Sequence, residues 1–347
     1  MLSRFTTTRA LPSAARAFGS MTNADYVALD EKFVSKNYAP MPVAIERGER
    51  IYAWDSEGRR YIDCLAGYGA MNQGHCHPKI LKAMIEQAQK VTLTSRAFHN
   101  TQMGALGQYM TELLGYDKLF PMNTGCEADE TACKMARRWA YRAKGTPDNQ
   151  AMILFPTNNF WGRSITASGA CDDPSRYTQF GPFTEGFDLF KYNDLADLEA
   201  KLKANPHICA VFIEPIQGEG GVIVPHEGYL QGVRDLCTKY NALMCADEVQ
   251  TGFGRTGDMM AVQHENVKPD ILCMGKSMSG GMYPVSGCMV DDFICKHIGP
   301  GDHGSTYGGN PLGMATSLAA VKTLVEEGMT ENARKMGKLF ADELRKV

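Results

Sequence analysis

Between residues 150 and 275, short apolar runs alternate with longer stretches of helical period. Met152–Phe155, Ala210–Ile213, Ala242–Ala246 and Ile271–Met274 are unbroken apolar blocks. Runs of that length are what strands buried on both faces require. Residues 195–203 and 228–240, which lie between them, carry helical patterns, and upstream Met103, Leu106, Met110, Leu113 and Leu114 recur at helical spacing. This alternation predicts an α/β fold around a mostly parallel sheet. Nearer the N-terminus, Val43–Ile45, Ile51–Trp54 and Tyr61–Ile62 read as short strands, with turns at Gly48 and over 55–58. A last helix is predicted after Thr330, its N-cap, from the spacing of Ala333, Met336, Phe340 and Leu344.

In open parallel sheets, ligands bind beyond the carboxyl ends of the strands. Each apolar block here ends in a chemically able residue. Phe155 leads to Asn158, Asn159, Phe160 and Trp161, Ile213 to Glu214, Ala246 to Asp247 and Glu248, and Met274 to Gly275 and Lys276. One rim is therefore expected to collect an aromatic group, acids and a lysine.

Composition narrows the classes. A chain of 347 residues with 44% hydrophobic and 22% charged residues sits near globular averages, which excludes wholesale disorder. A net charge of −3 provides no field for nucleic acid or an anionic membrane. No stretch approaches the roughly 18 apolar residues of a membrane-spanning helix. The eleven cysteines contain no Cys-x-x-Cys pair, which suits a reducing compartment and core packing. Residues 1–24 differ from the rest, because Arg4, Arg9 and Arg16 are spaced through Ser, Thr and Ala with no acid. That composition fits a mitochondrial transit peptide.

Several motifs test specific chemistry. Gly275-Lys276-Ser277 looks like the tail of a phosphate-binding loop, but the required earlier glycine is Asp270. A lysine directly after a buried strand is partly desolvated, and that suits a Schiff-base nucleophile that later shuttles protons. Asp247 at a neighbouring strand end needs a cation, and the ring nitrogen of pyridoxal phosphate is one. Asn123-Thr124-Gly125-Cys126 opens a helical stretch from Glu127 to Arg142, whose free N–H groups would hold a phosphate. Each feature has a plainer reading alone: a surface lysine, an Asp247–Arg255 salt bridge, an ordinary helix start. Gly74-His75-Cys76-His77-Pro78 lacks ligand spacing and reads as a turn rather than a metal site.

Taken together, the blocks resemble one family. Leu243-Met244-Cys245-Ala246-Asp247-Glu248-Val249-Gln250-Thr251-Gly252-Phe253-Gly254-Arg255-Thr256-Gly257 followed by Lys276 resembles the signature of the class III pyridoxal-phosphate aminotransferases. Residues 70–79, 93–98, 159–163, 214–219 and 303–311 extend the resemblance from about residue 30 to the end, closest to the ornithine-using members. The resemblance implies aminotransferase fold type I: a large domain over 79–328, and a small domain formed by 25–78 and by 329–347. It also implies that the small domain continues beyond Val347 in relatives, so that 329–347 would be only its start and the chain would show little activity.

Position by position, the resemblance implies that Lys276 bonds to pyridoxal 5′-phosphate and moves the proton, Asp247 pairs with the ring nitrogen, and Gln250 meets the phenolic oxygen. Phe160 would stack on the ring, and backbone donors of Gly125 and Cys126 would take the phosphate. Ser305 and Thr306 would complete the phosphate cup of a neighbouring copy, making a homodimer. Tyr38 and Arg163 would hold the α-amino acid end of ornithine, with Tyr68 at the place that separates ornithine enzymes from 4-aminobutyrate enzymes. Glu219 would pair with an arginine and release it for 2-oxoglutarate. No metal is expected. Cys126 and Asp129 depart from the family, which more often has Val and Gly there. The implied activity is δ-transamination in the mitochondrial matrix, with another ω-aminotransferase as the alternative.

Overall fold

The computed structural model describes residues 21–347, which fall into two compact units divided after Cys64. The predicted transit segment lies almost wholly outside the described residues.

The N-terminal unit begins with the helix Asn23–Phe33, started by a reciprocal cap: Thr22 Oγ1 accepts from Asp25 N, and Thr22 N donates to the Asp25 carboxylate. Three antiparallel strands follow, β1 (Ile45–Glu49), β2 (Tyr52–Asp55) and β3 (Arg60–Ile62), with β2 in the middle. Val43 and Ala44, read as strand, lie outside β1, which instead runs through Gly48 to Glu49. Asp55, at the end of β2, is the polar centre. Its two oxygens accept from Asn23 Nδ2 (3.0 Å), Arg59 Nε (2.7 Å), Tyr61 Oη (2.8 Å) and the backbone N–H groups of Glu57 and Arg59 (3.0 and 2.9 Å).

The second unit, residues 65–347, holds a seven-stranded sheet. Its strands are β4 (Lys118–Met122), β5 (Met152–Pro156), β6 (Phe187–Phe190), β7 (Ile208–Ile213), β8 (Leu243–Asp247), β9 (Ile271–Met274) and β10 (Ser286–Val290). The spatial order is β4-β10-β9-β8-β7-β5-β6, and β6, β5, β7, β8 and β9 are mutually parallel. β10 runs antiparallel to both β9 and β4. The four apolar blocks of the sequence are β5, β7, β8 and β9. β4, β6 and β10 were not legible as strands. Pro121 interrupts β4, and β10 begins Ser-Gly-Cys. Gly287 is there because of close pairing: a Cβ would fall 2.6 Å from the Phe120 carbonyl oxygen.

Every residue of β7, β8, β9 and β10 is buried, because helices cover both faces. One face packs Leu154, Val211, Ile213, Met244, Leu272 and Met289 with helices that include Met103–Leu114, Tyr229–Lys239 and Pro311–Glu326. The other packs Ile153, Phe155, Phe212, Cys245, Ile271 and Cys273 against the helix Gly125–Trp139. That helix presents Ala128, Ala132 and Ala136, small enough to lie close on the sheet. It ends before Arg142, passing into a single π turn over Ala140–Lys144 that Gly145 closes. Its basic residues serve intramolecular contacts: Arg137 lies over the Phe187 ring, Arg138 pairs with Asp302, and Arg142 donates to the His297 carbonyl.

The His75–Pro78 motif is a turn leading into the helix Pro78–Ala88, with His77 at its N-cap and His77 Nε2 3.2 Å from Glu327 Oε2. The last helix, Met329–Leu344, starts one residue before the expected cap. Gly328, in the left-handed region (φ +61°), turns the chain into it. Met336, Leu339, Phe340 and Leu344 on this helix are exposed.

Candidate active site

The carboxyl ends of four parallel strands and the start of one helix meet at a single cleft in the second unit. It is lined by Gly125, Cys126 and Asp129 from the helix, by Phe160, Trp161 and Gly162 after β5, and by Glu214 and Glu219 after β7. Asp247, Val249 and Gln250 follow β8, and Lys276 follows β9. The cleft thus gathers Gly125, Cys126, Phe160, Glu219, Asp247, Gln250 and Lys276 from the sequence-predicted set.

Local sequence explains each placement. Thr124 caps the helix by accepting from Glu127 N, while Glu127 Oε2 accepts from Asn123 N (3.0 Å) and Thr124 N (2.7 Å). The amides of Gly125 and Cys126 come next, and no helical carbonyl precedes them to receive their protons. They face the cleft with the positive end of the helix dipole behind them, a ready seat for a phosphate. Lys276 is half-buried between Gly275 and Ser277, which are both buried. Its φ of +37° is a conformation that a residue with a Cβ rarely adopts, and such strain persists only where surrounding structure holds it. Met274 and Met278, fully buried, flank the turn.

Asp247 is 8% exposed, and its Oδ1 accepts from Val249 N at 2.9 Å. Burial pushes its carboxyl up to about 6, against the pull of the Val249 amide and of Lys276. Among the described residues it makes no ion pair with Arg255, whose guanidinium donates to Asn72 Oδ1. The plainer reading of Asp247 as half of a structural salt bridge therefore lacks its partner. Glu248, its neighbour in sequence, is fully buried and holds Thr251 Oγ1 (2.5 Å) and Val262 N (2.8 Å). It serves the loop, not the cleft.

Two acids in the cleft went unrecognised as site residues. Glu214 appeared in the sequence only as a strand-end acid. Its Oε1 accepts from Phe160 N at 3.0 Å and its Oε2 from Gly218 N at 3.3 Å, so it fixes the aromatic wall to the floor. Burial and then the neighbouring Asp247 push it up to about 8. Asp129, noted only as a departure, is 1% exposed, and burial followed by Asp247 raises it well above the usual carboxylate range. Gly218 has its own reason to be glycine. A Cβ there would overlap the side-chain amide of Gln250, which lies against this backbone.

The remaining predicted residues are placed less centrally. Arg163 is exposed, its guanidinium 5.8 Å from the Phe160 ring centre, in a hollow shared with Ser168, Ser175, Arg176 and Phe180. Arg176, closer to that ring at 4.7 Å, is paired with Asp173. Tyr68 is exposed, in a left-handed turn (φ +57°) whose next residue, Gly69, lies beside Gln250 and Arg255. Glu219 is exposed on the cleft's edge. Ser305 Oγ accepts from Asn123 Nδ2 at 2.8 Å, and Thr306 is exposed next to it. Tyr38 lies in the N-terminal unit, where it is exposed beyond the first helix.

The donor set fits pyridoxal 5′-phosphate. It has unclaimed amides at a helix start for the phosphate, an acid without a cation for the ring nitrogen, an aromatic wall, and an amine within the same cleft. Residues 33–347 match the model of the family described as Aminotransferase class-III. The mitochondrial ornithine aminotransferase of Drosophila ananassae is 54% identical over 332 residues, covering 96% of this chain and 76% of that protein. The crystal structure of ornithine aminotransferase from Toxoplasma gondii ME49 superposes with a TM-score of 0.93 at 45% identity, over 94% of this chain and 77% of that one. The acetylornithine aminotransferase of Elizabethkingia anophelis gives 0.86 at 46% identity, over 94% and 79%. This chain belongs to the class III aminotransferases, enzymes that work with pyridoxal 5′-phosphate.

Proposed function

We propose that this enzyme moves the δ-amino group of ornithine to 2-oxoglutarate, giving glutamate 5-semialdehyde and glutamate. The observation that carries the substrate is the 54% identity, over 96% of the chain, to an ornithine aminotransferase. The cofactor, when bound, supplies an electron sink that weakens the bonds at the carbon bearing the amine.

The chain's own residues do the rest. Asp247 would keep a negative charge at the ring nitrogen, and Gln250 would offer its amide to the phenolic oxygen. The Gly125 and Cys126 amides would hold the phosphate, and Phe160 would cover the ring. Lys276 Nζ would hold the cofactor in the cleft and would carry the proton from the substrate carbon. Arg163 receives the α-amino acid end of ornithine, and Tyr68 stands at the place that separates ornithine from 4-aminobutyrate as substrate. Glu219 answers an arginine in one half-reaction and releases it in the other. Ser305 and Thr306 of one copy close the phosphate end for a second copy in a homodimer. The basic, acid-free stretch with Arg4, Arg9 and Arg16 supports import into the mitochondrial matrix.

The purified chain should be assayed with pyridoxal 5′-phosphate and 2-oxoglutarate against ornithine, acetylornithine and 4-aminobutyrate in parallel. Ornithine is expected to turn over fastest. Turnover of either other amine with none of ornithine would overturn the substrate.

A further inference from the structure

One buried group in the cleft is not used by the proposed mechanism. Asp129 sits one turn into the helix Gly125–Trp139, lines the same cleft as Asp247, and is 1% exposed. Its Oδ1 is fully buried and finds no hydrogen-bond partner among the described residues. An ionised carboxylate left in that condition is costly, so the group needs either a proton or a cation.

Among the described residues, the elements packed around it provide no cation at contact. From β8 it faces Asp247, from β9 and β10 the thiols of Cys273 and Cys288, and from its own helix Cys126 and Cys133. On β4 the one basic side chain is Lys118, at the strand's far end and paired with Asp292 (3.7 Å). On β7, Cys209 is buried and Glu214 lies beside Asp247. Lys276 also acts on Asp247. The cleft thus holds three buried acids, Asp129, Glu214 and Asp247, around one amine.

We propose that Asp129 is a second, proton-bearing acid in the cofactor site, which releases its proton when a cation docks on the neighbouring Asp247. This rests on the proposed placement of the cofactor with its ring nitrogen at Asp247. Without that cation, burial and then the charge on Asp247 keep Asp129 protonated. With the ring nitrogen in place, the repulsion is offset and the attraction of that cation opposes burial, so the Asp129 proton leaves to solvent and a second negative charge steadies the cationic ring. Asp129 acts through Asp247 and is a positioning residue. The consequence is that cofactor affinity rises with pH more steeply than one aspartate would allow.

The experiment is a titration of the full chain, freed of cofactor, with pyridoxal 5′-phosphate between pH 6 and 8.5. Calorimetry in buffers of different ionisation enthalpy counts the protons released. The proteins compared are the wild type, Asp129→Asn, Asp129→Ser and Asp247→Asn. Removing Asp129 should lower the proton release by up to about one, and flatten the slope of log Kd against pH by the same number. Thermal melts without cofactor provide a second readout. A buried acid with a raised pKa contributes stability that is complete below its unfolded value and is lost as pH rises, so Asp129→Asn should gain Tm over the wild type towards pH 8. Equal proton release in the wild type and both Asp129 variants, with Asp247→Asn still weakening the cofactor, would overturn the role of Asp129 alone. Unchanged cofactor binding in Asp247→Asn as well would overturn the underlying placement, and the inference with it.

Discussion

Asp55 and Asp129 are both 1% exposed aspartates, yet they lie at opposite extremes of satisfaction. In the N-terminal unit, Asp55 collects five donors. Burial works to raise its pKa, but the hydrogen bonds from Asn23, Arg59 and Tyr61 outweigh it and hold the group below the usual carboxylate range. In the cleft, Asp129 keeps one oxygen unpartnered, and Asp247 accepts from one backbone amide. There burial prevails, and the acids are pushed upward. The difference separates structural from functional use of one residue type. An acid that completes a fold is surrounded by donors of its own chain, whereas an acid that awaits a ligand keeps its capacity free.

The largest expected effect breaks the cleft side of this contrast. Lys276→Ala should lower transamination by about 10³-fold or more, since it removes the proposed anchor and proton carrier, while Tm without cofactor changes little. Loss of the cofactor's visible absorbance together with the rate is the supporting result. Near-normal turnover would move the chemistry to another lysine. Asp247→Asn should follow with about a 10²-fold loss in kcat and weaker cofactor retention, because the amide cannot offer a charge to the ring nitrogen. Unchanged kcat in that variant would refute the pairing.

Asp55→Ala probes the other side. Five donors would lose their acceptor, so Tm at pH 7 should fall by several degrees. The sign with pH is opposite to that of the cleft acids. A group whose folded pKa is depressed contributes stability above its unfolded value, near 3.8, and loses it as pH falls through the folded value. The gap between wild type and variant should therefore close in acid. A gap that stayed constant down to pH 2 would show that packing, not charge, makes the difference.

How much of this was legible in the sequence depends on the residue. Lys276, Asp247 and Phe160 could be singled out because each lies at or soon after the end of an apolar block, and a buried parallel strand announces itself by composition. β10 was missed because it opens on Ser286 and Gly287, and close pairing with Phe120 leaves no room for a side chain at Gly287, so the apolar run is broken. Gly328 was passed over in favour of Thr330 because side-chain caps are visible in a sequence, whereas a left-handed backbone turn into a helix is not. Glu214 was seen only as a strand-end acid. Its bonds to the amides of Phe160 and Gly218 join segments 54 and four residues away, and no local pattern encodes the first. Asp129 stood out as a departure, but its neighbour Asp247 is supplied by the sheet.

The smallest effect tests whether cleft acids differ in kind from one another. Glu214 lies near 8 because of burial and Asp247, so at pH 7 it is mostly protonated. Its work there is to accept from the amides of Phe160 and Gly218, and a glutamine keeps one carbonyl oxygen for that task. Glu214→Gln should therefore change kcat/KM by no more than about threefold at pH 7, an energy of about 0.7 kcal/mol at most by the rate relation. Above pH 8 the two proteins should diverge, because only the wild type gains a negative charge at position 214. Stability should diverge in the same direction. The wild type loses stability as pH rises from the usual glutamate value of 4.5 through about 8, and the variant, with nothing to ionise at that position, does not share this loss. Glu214→Gln should then melt higher than the wild type at pH 9 and nearly equal to it at pH 5. A hundredfold loss of kcat/KM at pH 7 would instead mean that Glu214 works as an anion beside Asp247.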